Sequence, residues 1–156
     1  MTYLENRDRS RNVRLSRTFF LFQIVPLIAG SLVYLIWRPQ SLLLFDWVRF
    51  VGVENNLLAV RGLIVTSFTP PPEWLINSAP TGLWAFSYSF TISIANRDYV
   101  YSKNACLAFS FFLVTGIETF QISLIPGVFD PRDLLFNTAG FVSGIFIYSK
   151  MGDSHE

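Results

Sequence analysis

A single cysteine, Cys106, and a single histidine, His155 in the penultimate position, leave this chain of 156 residues without the side chains on which much enzyme chemistry is built. One thiol forbids an intrachain disulfide and a cysteine-rich metal or redox centre. One imidazole in a polar tail removes the Ser-His-Asp, Cys-His and His-zinc constellations, each of which needs an imidazole held by a rigid scaffold. No phosphate-binding glycine loop, dinucleotide fingerprint or internal repeat occurs. Charge is also scarce: Asp, Glu, Lys and Arg make up 15% of the chain, and a formal balance of +1 excludes a nucleic-acid binder recruited by overall charge.

What fills the chain instead is apolar. Hydrophobic residues make up 51%, with 16 Phe and 4 Trp, a composition that predicts a membrane protein. Residues 1–17, with Arg7, Arg9, Arg11, Arg14 and Arg17 against Glu5 and Asp8, read as a basic cytoplasmic tail. Thr18 to Trp37 is an uncharged run that, at about 1.5 Å per residue, reaches roughly 30 Å, one hydrocarbon core. It ends in Trp-Arg-Pro-Gln rather than a small-residue cleavage site, so a retained span is expected over a signal peptide. Pro26 within it predicts a kink.

The segment 41–68 holds two apolar stretches, each too short and too charged to span. "SLLLFDWVRFVGV" has a narrow polar stripe at Asp46 and Arg49, and "NNLLAVRGLIVTSF" contains Arg61. Both read as interfacial amphipathic helices, the alternative being a fifth span that would reverse all downstream orientations. "TPPPEW" is expected to be extended. Three further spans are predicted at about 81–96, 105–125 and 131–148, followed by a polar tail at 150–156. The fold class is thus an all-α integral membrane bundle of about four transmembrane helices.

With both termini cytoplasmic, the inner side holds Arg7, Arg9, Arg11, Arg14, Arg17, Arg97, Lys103 and Lys150. The outer side holds Arg38, Arg49, Arg61 and Arg132, as the positive-inside rule requires. The four tryptophans, Trp37, Trp47, Trp74 and Trp84, then lie on or near the outer face.

Against this background "GIETFQISLIPGVFDPRDLLFNT" stands out. Asp130-Pro131 has an ordinary explanation, an N-cap followed by proline at the first helical position, with Asp133 in the first turn where the helix dipole favours an acid. That account does not reach Glu118, Gln121 and Asn137. Helical rise puts Glu118 roughly 10 Å and Asn137 roughly 9 Å below the outer boundary, with Gln121 and Asp133 a turn nearer the surface. Asp133, Asn137, Gly140 and Gly144 share one side of the fourth helix, and the G-x-x-x-G spacing permits close helix packing. An ionised carboxylate facing lipid costs at least ~2.5 kcal/mol, so Glu118 is expected to be paired, protonated or beside water. The cluster is either an interhelical clamp or an outward-facing acidic and amide pocket.

Glu118-x-x-Gln121, Phe129-Asp130, Asp133 and Asn137-x-x-Gly140 with Gly144 resemble the VanZ-like family of bacterial membrane proteins. The resemblance is specific over residues 115–148 and architectural elsewhere. It implies a multi-pass helical protein of the bacterial inner membrane, whose namesake lowers susceptibility to teicoplanin, and it matches Glu118, Gln121, Asp130, Asp133 and Asn137 to the family pattern. Two positions depart from that pattern: Pro126-Gly127 stands where many members carry a basic residue, and the second span opens without the Lys and His found in many members.

The first functional reading is an envelope protein whose pocket binds a lipid-linked or peptidoglycan-related ligand through Glu118, Gln121, Asp130, Arg132, Asp133 and Asn137. The alternatives are a membrane-embedded hydrolase or transferase with Glu118 and Asp133 as candidate catalytic groups, a small proton-coupled exporter, and a scaffold. The balance of these readings is against an enzyme. No cofactor is expected; a divalent cation, if one bound, would be of the magnesium type, which suits carboxylate and amide oxygens. The lipid bilayer is the one partner expected in every reading.

Overall fold

The computed structural model describes residues 18–40, 43–96, 99–120 and 130–153, with the side chains of 43, 44, 100, 117, 118, 120, 152 and 153 excepted. The tail 1–17, residues 41 and 42, Arg97 and Asp98, residues 121–129 and the last three residues lie outside that set. Among the described residues the secondary structure is helical, with no strand.

A π-helical turn, Phe20–Ile24, leads into helix α1 (Val25–Trp37). The Val25 N–H donates to the Phe20 carbonyl, five residues back. Pro26 explains the wider turn: it lacks an N–H, and its ring would press on the Phe22 carbonyl in a regular α-helix. The expected effect of Pro26 thus takes the form of a local change of winding.

Two short helices follow, α2 (Leu43–Phe50) and α3 (Glu54–Ser67), joined at Gly52, whose φ of +78° is the left-handed conformation open to glycine. Arg49 ties the corner by exposed ion pairs to Asp46 at 2.8 Å and Glu54 at 3.0 Å. Helix α2 is strongly one-sided. Helix α3 is not amphipathic, a correction to the sequence reading, because Asn55, Asn56, Gly62 and Ser67 interrupt its apolar residues on several sides.

The proline run stays irregular through Pro72, whose φ of −59° and ψ of 148° are extended. Glu73 then begins a one-turn helix, α4 (Glu73–Asn77), so the extended segment ends before Trp74. Ser78 joins it to α5 (Ala79–Ala95), with Pro80 in the first turn where its missing N–H is tolerated. Helix α6 (Val100–Phe120) begins five residues before the expected 105, taking in Lys103, and α7 (Pro131–Asp153) continues five residues past the expected 148.

Paired residues fix the directions. Arg38 meets Asn77, Tyr34 meets Trp84 and Phe22 meets Phe90, so α1 and α5 are antiparallel. Gly140 lies on Gly82, Gly144 on Phe86, and Tyr148 on Phe90, so α5 and α7 run parallel, and they form the most extensive helix pair. Helix α6 flanks them antiparallel to α7, through Phe111–Phe141 at 5.4 Å between ring centroids and Lys103 over the Tyr148 ring at 5.4 Å.

Phe20–Trp37 is the one described helix long and apolar enough to cross a membrane, with mean hydropathy 2.0 and 11% of it buried. Helix α5 has 17 residues, α6 includes Lys103 and Glu118, and α7 includes Arg132, Asp133, Lys150 and Asp153. The all-helical class therefore holds, and one of the four expected spans meets this criterion.

Candidate functional site at the start of α5 and α7

Because α5 and α7 are parallel, their first turns lie at the same end of the molecule, the end where α1 finishes. Asp130 opens α7: its Oδ1 accepts the Arg132 backbone N–H at 2.9 Å, and its carbonyl accepts from Asp133 N at 3.0 Å. This is an N-cap that satisfies donors the helix cannot satisfy internally. Arg132 is exposed, and Asp133, two residues into the helix, is half-buried. Its Oδ1 is buried and has no hydrogen-bond partner among the described residues. One turn further in, Asn137 is 5% exposed.

The same stripe continues to Gly140 and Gly144, and it faces α5. A Cβ on Gly140 would strike the Gly82 carbonyl oxygen, and one on Gly144 would strike the Ser89 hydroxyl. Gly82 in turn has room for no Cβ, with the Phe136 oxygen 2.9 Å from where it would stand. The sequence reading treated the third and fourth helices as the neighbours bounding the pocket; the close seam is instead between the second and fourth. The reason is steric, since α5 offers Gly82 and Ser89 at the height of the α7 glycines while α6 offers Phe111 to Phe141. Of the other candidates, Glu118 lies in α6 two residues before its last residue, Phe120, and Gln121 lies outside the described residues.

Sequence reasoning missed three residues at this end. Ser78 is fully buried and its Oγ has no partner among the described residues. Arg38 donates from Nη2 to the Asn77 carbonyl at 2.8 Å, stacks on Tyr34 at 5.3 Å, and keeps a buried Nε without a partner among the described residues. Arg61 donates from Nη1 to the Arg38 carbonyl at 2.7 Å and the Leu35 carbonyl at 3.2 Å, and its guanidinium lies 5.7 Å from the Phe45 ring centre. It caps the end of α1, where a cation is favoured by orphan carbonyls and the helix dipole, and so holds α2 and α3 against α1. The one signal for Ser78 was its place two residues before Pro80, which reads as an ordinary cap.

Chemically, this end holds a buried carboxylate oxygen, a buried hydroxyl and the buried donors Trp37 Nε1 and Arg38 Nε, all without partners among the described residues, together with the buried Asn137 amide; Trp74 stacks on Phe136 across the same seam, 5.8 Å between centroids. Among the described residues no three His, Cys, Asp or Glu side chains group so as to hold a metal ion. No curated protein and no solved structure matches the chain significantly. Over residues 8–152, nearly its whole length, the sequence matches the VanZ/LLP1 family, and the chain belongs to that family.

Proposed function

We propose that the protein crosses the bacterial inner membrane four times, by α1, α5, α6 and α7. In this reading it acts in the cell envelope by binding a lipid-linked or peptidoglycan-related ligand at the outer end of the α5–α7 seam. The observation that carries the reading is Asp133: its buried Oδ1 has no partner among the described residues, and such an oxygen costs stability unless something else compensates it. The site's place between apolar helices supports a lipid-borne ligand. Large apolar side chains are exposed on the outward faces of three helices, among them Ile28 and Leu32 of α1, Phe109 and Phe112 of α6, and Leu135, Val142 and Phe146 of α7. The basic N-terminal segment sets the orientation, which puts Trp37, Ser78 and Asp133 on the outer side.

The test combines access and binding. In a Cys106→Ser background, a cysteine at exposed Arg132 is labelled by a membrane-impermeant maleimide in intact cells; labelling only after disruption refutes the orientation. Protein purified in mild detergent carries envelope lipid that D133N and N137A release at unchanged abundance. Equal lipid content in the wild type and both variants refutes the ligand role.

A further inference from the structure

We infer that the ligand group held at this seam is a neutral hydroxyl, as on a sugar or polyol headgroup, and that Ser78 is its second contact and a specificity-determining residue. The inference rests on the ligand-binding reading above and narrows its chemistry.

Ser78 is unlike the other buried serines. Ser87, Ser89 and Ser93 return their hydroxyls to carbonyls of α5 at 3.0, 3.1 and 2.8 Å, and Ser110 bonds the Tyr88 hydroxyl at 3.3 Å. Ser78 stands at the N-cap position of α5 and makes no capping bond. Its backbone explains why: φ −105° and ψ −30° continue the α4 turn, whereas a capping serine adopts an extended backbone that brings its oxygen over the first N–H groups. The Ser78 carbonyl is occupied by the Thr81 hydroxyl at 2.7 Å and its N–H by the Trp74 carbonyl at 3.0 Å, so the hydroxyl alone is open.

Helix register brings this hydroxyl level with Asp133. Gly82 meets Phe136 and Gly140 across the seam. One turn outward along α5 is Ser78, and one turn outward along the facing stripe of α7 is Asp133. Two parallel helices thus carry, at one height, a buried donor and a buried acceptor, each without a partner among the described residues.

The pair selects among headgroups. A hydroxyl accepts from Ser78 Oγ–H and donates to Asp133 Oδ1, satisfying both. A phosphate has only acceptors and would confront the Asp133 carboxylate, with Asp130 beside it. An ammonium has only donors and would leave the Ser78 O–H without an acceptor. Asn137, donor and acceptor in one side chain, suits a second hydroxyl.

The test uses full-length protein in phosphatidylcholine nanodiscs doped equally with monoglucosyl diacylglycerol, phosphatidic acid and phosphatidylethanolamine, with retained lipids identified by native mass spectrometry. The glucosyl lipid is retained in preference to the other two, and S78A and D133N each reduce its retention roughly tenfold or more, the scale of a lost bond to a charged or buried group. Thermal stability of S78A stays equal to the wild type or rises, since its open hydroxyl supports no protein contact; a fall would assign Ser78 a structural role and overturn the inference. Preferential retention of phosphatidic acid or phosphatidylethanolamine overturns the hydroxyl class and leaves lipid binding at the seam standing. Retention of none of the three overturns both.

Discussion

Replacing Gly140 by alanine should loosen the whole molecule, although alanine is the better helix former. In an exposed helix the exchange gains about 0.8–1 kcal/mol. Gly62, in the interior of α3 with nothing within 4 Å of where its Cβ would stand, is the natural reference, and G62A should stabilise by about that amount. At Gly140 the added methyl would strike the Gly82 carbonyl oxygen, with the Gly82 carbonyl carbon 2.8 Å and Cα 3.1 Å away. Carbon pairs prefer roughly 3.5–4.0 Å, so relief requires a shift of about an ångström, and the obstacle is backbone, which moves only with its helix. Overpacking of this kind costs about 1–3 kcal/mol, and the upper end applies because Gly144 and Ser89 share the seam. After the propensity gain, G140A should be less stable by about 1–2 kcal/mol. Equilibrium unfolding of the purified protein in detergent, followed by circular dichroism, measures it against G62A. A G140A protein as stable as the wild type would refute the close α5–α7 contact and the site built on it.

Arg61→Ala should remove both bonds from Nη1 to the Leu35 and Arg38 carbonyls and the contact with Phe45, so hydrogen exchange in α1's last turn and α3 should accelerate by roughly tenfold or more. Asp130→Ala should cost about 1 kcal/mol, and Asp130→Ser should restore most of it, read by the same unfolding assay. Removing the exposed ion pairs at the α2–α3 corner by D46N or E54Q should change stability by no more than about 1 kcal/mol, most of it gone at high salt.

Element placement was legible because its signals are local. Pro80 and Pro131 mark helix starts, and Asp130 before Pro131 announced a cap that the Arg132 N–H bond realises. Helix ends read less well, since Lys103 joins α6 and the polar residues after Tyr148 stay helical to Asp153: a helix already nucleated tolerates polar residues in its outer turns. The candidate site was half legible. Asp133 and Asn137 stand out as polar residues in apolar helices, but Ser78 lies before the expected start of its span, and its lack of a capping bond depends on a backbone angle that the residue type does not encode.

The sequence by itself determined an all-helical chain, a long apolar first helix, the capped start of α7 and membership of the VanZ/LLP1 family. Tertiary structure alone decided that the α7 glycines meet α5, that Arg61 reaches carbonyls 23 and 26 residues away, and that Gly82 stands against Phe136 and Gly140. Helices apolar on most sides carry no stripe that names their neighbour. Which faces join depends on where two surfaces offer small residues at the same height, and that match exists only once both helices are in place.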